Sequence, residues 1–151
     1  MPPSFELPTD SIPLAEHQQR MLGYALETGF FAWAGVRLSR LEHGATEVVL
    51  TPRAEMLTPW GTLNGAVINA LVELPAYLAL ATRIPAGLLP VTNDIFLQHL
   101  RPLPGAVEYS AIGRVLRMGK SMAWLETEVR VDGKATSLAR ITKSLVPREL
   151  P

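Results

Sequence analysis

The chain has no cysteine, which removes disulfides, thiolate metal sites and cysteine nucleophiles together. It has no excess of either charge: 14 Lys+Arg stand against 14 Asp+Glu. A nucleic-acid binder needs a clustered basic surplus, so no such partner is expected. Histidine is scarce as well. His17, His43 and His99 form no H-x-x-x-H pair, and no zinc centre is expected. Residues 1–12 carry Pro2, Pro3, Glu6, Pro8 and Asp10, where an export signal has a basic stretch and then an apolar core. The most apolar run, residues 65–81, is barely long enough for a membrane span and contains Asn69, Glu73 and Pro75. An ionised Glu at mid-membrane costs ~2.5 kcal/mol or more. These absences predict a cytoplasmic protein with neither a membrane nor a nucleic-acid partner.

What remains is 151 residues with 48% hydrophobic content, one domain's worth with enough apolar side chain for a core. Residues 1–13, with Pro2, Pro3, Pro8 and Pro13, read as a loose N-terminal arm before a single domain over 14–151. The spacing of Leu14, Met21, Leu22, Ala25 and Leu26 predicts a helix over 14–28, with Pro13 in its first turn and Gly29 as a left-handed cap. Strands are predicted over 35–41 and 46–51, joined at His43-Gly44. A loop over 52–62 leads to a long helix from 65 to about 82. Further strands are expected near 91–100, 107–117, 121–131 and 135–145, with turns at 101–105 and 132–133. In 121–131, Ala123, Leu125, Thr127, Val129 and Val131 alternate with Met122, Trp124, Glu126, Glu128 and Arg130. That period of two marks an antiparallel strand with one wet face. One very apolar helix between two early and four later strands predicts an α+β domain whose sheet curls around the helix.

The chemistry concentrates on that helix. Asn69, Glu73 and Tyr77 fall at i, i+4 and i+8, so they share one face, while the other faces are Ala, Val, Leu and Ile. A carboxylate on so apolar a helix must be hydrogen-bonded, paired or functional. Two readings stay open: a satisfied structural group at a subunit interface, or a nucleophile or general base. Pro75 removes the helical donor to the Leu71 carbonyl and predicts a kink. The lead-in Trp60-Gly61-Thr62-Leu63-Asn64-Gly65-Ala66 brings small residues to the helix start, where free N–H groups favour an oxyanion or carbonyl oxygen. Asn64 also reads as a plain N-cap. Donors at one end of a helix and a carboxylate two turns on suit acyl transfer.

Residues 61–73, Gly-Thr-Leu-Asn-Gly-Ala-Val-Ile-Asn-Ala-Leu-Val-Glu, resemble the G-x-x-H-G-G-x-x-x-x-L-x-[DE] segment of hotdog-fold acyl-CoA thioesterases of the phenylacetate-degradation and 4-hydroxybenzoyl-CoA type. Residues 92–102 are similar to that family's T-x-D-L-x-[IV]-x-[FY]-L-R-P strand. Residues 114–121 are similar to its R-V-x-R-x-G-[RK] segment, and Asp132-Gly133-Lys134 to its D-G-K hairpin. The resemblance implies a hotdog fold, a long helix wrapped by five to six antiparallel strands. It also implies a homodimer or homotetramer with sites at the dimer interface, and hydrolysis of an acyl-CoA thioester. By it, Glu73 is the catalytic carboxylate and the Gly65 N–H polarises the carbonyl. Asn64 and Thr58 orient substrate or water, Trp60 and Tyr77 contact the acyl chain, Asn69 is a further substrate-binding residue, and Arg117 and Lys120 lie near the CoA phosphates. No cofactor is implied beyond coenzyme A as part of the substrate.

The pattern is broken in four places. Asn64 stands for the motif's His, Ala66 for its second Gly, Thr58 where relatives often carry Asn or Gln, and His99 for an aromatic. Asn64 hydrogen-bonds but carries no proton at neutral pH. Two other readings therefore stand beside the hydrolase. One is a non-catalytic acyl-CoA or lipid-binding hotdog protein. The other is a hotdog enoyl-CoA hydratase using Asp94 and His99, which needs a bulge because a spacing of five puts the pair on opposite strand faces.

Overall fold

The computed structural model describes residues 5–148 and Leu150. The first four residues of the expected N-terminal arm lie outside the described residues, as do two positions at the C-terminal end of the expected domain. The remaining arm forms no helix or strand before Glu16 and packs Phe5, Ile12 and Leu14 against the core.

Alternating sequence builds one six-stranded sheet. Its strands are β1 (Arg37–Glu42), β2 (Ala45–Leu50), β3 (Leu88–His99), β4 (Tyr109–Met118), β5 (Met122–Val131) and β6 (Lys134–Pro147). All pairings are antiparallel, in the order β1-β2-β4-β5-β6-β3. On β5 the inward set is the expected one: Ala123, Leu125, Thr127, Val129 and Val131 are buried. β3 begins at Leu88, three residues before the predicted start, and takes Pro90 into its pairing with β6. Because β3 is an edge strand, the missing Pro90 N–H breaks no ladder.

Among the described residues three α-helices and one short 3-10 turn (Ala54–Met56) accompany the sheet: α1 (Glu16–Glu27), α2 (Gly29–Ala34) and α3 (Gly65–Ala81). α3 packs across β2, β4 and β5. Only Gly65, Ala66, Asn69, Ala70, Glu73 and Tyr77 of α3 escape full burial. The helix lies very close to the sheet. A Cβ on Gly113 of β4 would stand 2.2 Å from the Pro75 carbonyl carbon and 2.4 Å from Ala76 N. Buried hydroxyls bind helix carbonyls at the same level: Thr46 Oγ1 donates to Pro75 O and Thr127 Oγ1 to Val72 O, each at 2.7 Å. The helix continues through Pro75 as one element.

The N-terminal helix departs from expectation. α1 ends at Glu27, and Thr28 is extended (φ −125°, ψ 156°). Gly29 opens α2 instead of capping α1, and the left-handed cap is Gly35 (φ 73°), whose N–H bonds Ala32 O. The break lets Phe31 pack against the core, and the periodicity of 14–28 carried no signal for it. α1 is anchored over the C-terminal end of α3, where Gln18 Nε2 donates to Thr82 O (3.0 Å) and His17 Nε2 to Ile84 O (2.9 Å). Among the described residues no helix is long and apolar enough to cross a membrane.

Because the Gly113 contact is backbone on backbone, Gly113→Ala is expected to lower stability by about 3 kcal/mol through overpacking. Urea unfolding monitored by circular dichroism measures it, and an unchanged midpoint would refute the close approach.

Candidate active site

The helix start is held by the loop before it. Thr58 N donates to Thr62 O (2.7 Å), Gly61 N to Thr58 O (2.9 Å), and the two threonine hydroxyls are 2.7 Å apart. Leu63 N donates to Leu103 O (2.8 Å), which fastens this loop to the segment after β3. Gly105 comes so near that a Cβ there would lie 2.2 Å from Gly61 O. Trp60 projects from the loop and is 85% exposed. Asn64 is the N-cap of α3, its Oδ1 accepting from Ala66 N at 2.9 Å. The Gly65 N–H meets no acceptor among the described residues. Asn69 turns back on the helix, Nδ2 donating to Gly65 O (3.2 Å). His99 stands beside this end, with Nδ1 3.0 Å from Ser137 Oγ and Nε2 3.7 Å from where a Gly65 Cβ would be.

Two turns along α3, Glu73 meets a buried cation. Lys143 of β6 is 1% exposed, a rare state for lysine unless it is paired. Its Nζ donates to Glu73 Oε1 and to Thr92 Oγ1, both at 2.6 Å. Thr92 Oγ1 in turn donates to Glu73 Oε1, closing a triangle. Oε2 has no hydrogen-bond partner among the described residues. Burial pushes the Lys143 ammonium below the ordinary lysine value, and the charge and hydrogen bond of Glu73 pull part of the way back. The Tyr77 ring lies 5.8 Å from Lys143 Nζ. Burial, with a smaller contribution from Tyr24, raises the Tyr77 hydroxyl to about 12, so it stays a neutral phenol.

Glu73 and Tyr77 form one wall of a mostly apolar groove of about 230 Å³, closed by Leu74 and by Tyr24, Ala25, Thr28 and Phe31 from the helices over it. The expected site residues thus fall into separate groups. Glu73 and Tyr77 share the groove, whereas Thr58, Trp60, Asn64, Gly65 and Asn69 gather at the helix start. At 1.5 Å per residue, Gly65 and Glu73 are about 12 Å apart along the helix axis. Arg117 and Lys120 lie at the β4–β5 hairpin, Arg117 stacked 5.5 Å from the Trp124 ring centroid. The pairings Thr92↔Lys143, Ala123↔Lys143 and Met118↔Ala123 put that hairpin at the level of Glu73's partner. Two strand spacings, about 10 Å, separate them. The β3 bulge lies between Thr92 and Asp94, not between Asp94 and His99. Asp94 accepts instead from Thr142 Oγ1, so the pair that a hydratase needs is not assembled.

Sequence reasoning missed Lys143, Thr92, Tyr24 and Phe31. For Lys143 a signal existed. It occupies the inward phase of β6 with Ser137, Ala139, Ile141 and Leu145, and a lysine in an inward phase needs a buried anion.

A curved antiparallel sheet wrapped around one long helix is the hotdog fold, and the family model described as "Thioesterase superfamily" matches residues 61–137. The chain belongs to that superfamily, and thioester hydrolysis is the general chemistry this membership supports. No curated protein sequence matches. Among solved structures, the PaaI protein of the Escherichia coli phenylacetic acid degradation operon is similar at TM-score 0.78 and 20% identity, covering 92% of this chain and all (100%) of that one. A thioesterase from Haemophilus influenzae has TM-score 0.74 and 22% identity, over 94% and 96% of the two chains. A phenylacetic acid degradation protein PaaI from Thermus thermophilus, a mutant form, has TM-score 0.70 and 26% identity, over 76% and 96%.

The cap at Asn64 gives a stability test independent of chemistry. Asn64→Ala is expected to cost about 1 kcal/mol, and Asn64→Asp to cost much less, since an Asp oxygen still accepts from the helix. Thermal unfolding of the two variants checks it; equal losses would mean the side-chain bond contributes nothing.

Proposed function

We propose that the protein hydrolyses acyl-CoA thioesters with Glu73 as the reacting carboxylate. The observation that carries this reading is the position of Glu73 in the chain of a thioesterase-superfamily member: one oxygen held by two donors, the other free, in the wall of an apolar groove. The acyl group lies in the groove against Tyr24, Phe31 and Tyr77. Glu73 either attacks the carbonyl carbon, giving an anhydride that water then opens, or takes a proton from a water that attacks. In both routes the C–S bond breaks, the thiolate leaves and is protonated, and acid and free thiol result. Arg117 and Lys120 meet the CoA phosphates. Asn64 offers its Nδ2 to the substrate, Oδ1 being committed to the cap, and Thr58 and Asn69 supply further polar contacts at the donor end.

The carbonyl is polarised by the Gly65 N–H of a second copy, because the two groups of one chain are about 12 Å apart. Support for pairing comes from β3, a 12-residue edge strand with Val91 49% and Phe96 62% exposed. A long apolar edge of that kind pairs unless it is covered. Trp60, at the donor end, would meet the partner copy or its bound substrate.

Thiol release with a panel of aliphatic and aromatic acyl-CoAs tests the reaction. Glu73→Gln is the right variant, since its amide oxygen still accepts from Lys143, whereas Glu73→Ala strands a buried ammonium at about 3–5 kcal/mol. Wild-type turnover is expected to fall by about 100-fold or more in Glu73→Gln. Binding of acyl-CoA without any turnover would favour the non-catalytic reading.

Complementation tests the shared site. Gly65→Pro deletes the N–H at a first-turn position that accepts proline, and its Cβ would stand in ordinary contact with His99 Nε2 at 3.7 Å. Mixed with Glu73→Gln, it is expected to restore about a quarter of wild-type activity, one intact site in each two-fold heterodimer. No restoration in verified mixed dimers would place both groups in one chain.

A further inference from the structure

A charged side chain with 1% exposure is an expense the fold could have avoided with an apolar residue, as its neighbours Ile141 and Leu145 on the same phase show. Its geometry is specific. Lys143 Nζ reaches Glu73 Oε1 and Thr92 Oγ1 at 2.6 Å each, and Thr92 closes the triangle on the same carboxylate oxygen. Both donors therefore act on Oε1 alone, and Oε2 is left free on a residue that lines the groove. We propose that Lys143, assisted by Thr92, is the positioning residue of this site, fixing the Glu73 carboxylate from beneath so that Oε2 is the oxygen that meets substrate or water.

This proposal rests on Glu73 being the reacting group. Lys143 touches neither the substrate nor the reacting atoms; it acts through the carboxylate. A carboxylate on a flexible side chain, half open to a groove, otherwise samples several rotamers, and small misplacements of a reacting group cost large factors in rate. The groups facing Lys143 are few. α3 presents Glu73 and the Tyr77 ring, β3 presents the neutral Thr92, and β5 pairs through Ala123. The ammonium loses its proton below the ordinary 10.5, and Tyr77 titrates only at about 12. Tyr24 also lines the groove, so an alkaline fall in kcat reports Lys143 only where it disappears in Lys143→Met.

The experiment compares wild type, Lys143→Met, Thr92→Val and Glu73→Gln in kcat, KM and pH profile, with light scattering and circular dichroism as controls on assembly and folding. Methionine keeps the length and apolar stem and removes the charge. Lys143→Met is expected to lose about 10- to 100-fold in kcat with KM unchanged within about threefold, and to lack the wild-type alkaline limb. Thr92→Val is expected to show a smaller loss in kcat and to keep the limb. If Lys143→Met fails to fold, Thr92→Val carries the test. Unchanged kcat in either folded variant, or a limb that persists in Lys143→Met, makes the ion pair merely structural and overturns the proposal while leaving Glu73 in place. Full activity in Glu73→Gln overturns the reading of Glu73 itself, and the positioning role with it.

Discussion

The depth at which α3 lies in the sheet governs everything above it. At Gly113 the two backbones touch with no side chain between them, so there is no room between helix and sheet for even one methyl group. Apolar packing resists rotation of such a helix through the fit of its side chains, and hydrogen bonds specify the rotation further. Here those bonds are the hydroxyls of Thr46 and Thr127 on two carbonyls, and Lys143 on Glu73. Buried polar contacts of this kind contribute little net stability but specify one arrangement among many. Depth and rotation together decide that Glu73 emerges into the groove.

The two chemical ends of α3 have different supports. The donor end is held by loop-to-loop backbone bonds and by the Asn64 cap. The carboxylate end is held by side chains from β3 and β6 below it and bounded by α1 and α2 above. On the reading proposed above, their separation calls for a second copy, and the long β3 edge is where that copy would pair. The same separation explains why the donor residues and the groove residues never meet within one chain.

The strands and the long helix were legible because each depends on local periodicity, the hotdog arrangement followed from the motifs at 61–73 and 92–102, and β5 alone showed its buried face residue by residue. Glu73 was legible as the one carboxylate on an apolar helix, and Asn64 as a cap. Lys143 left one readable trace, its place in the inward phase of β6, but its link to Glu73 and Thr92 arises only when β6 and β3 pair at Thr92↔Lys143, a contact between residues far apart in sequence. The break between α1 and α2 was hidden for a related reason. Gly29 satisfies a helix-stop pattern and a helix-start pattern equally, and the core contact of Phe31 decides between them.

The clasp between Gly61 and Gly105 also has a meaning for how such a protein changes. Because the loop at the start of α3 is bound to the segment after β3 by main-chain atoms, its conformation is indifferent to which side chains line the groove two turns away. Substitutions at Tyr24, Ala25 or Phe31 can therefore reshape the groove without passing through the clasp, so the width of the groove and the shape of the helix start are set by separate parts of the molecule.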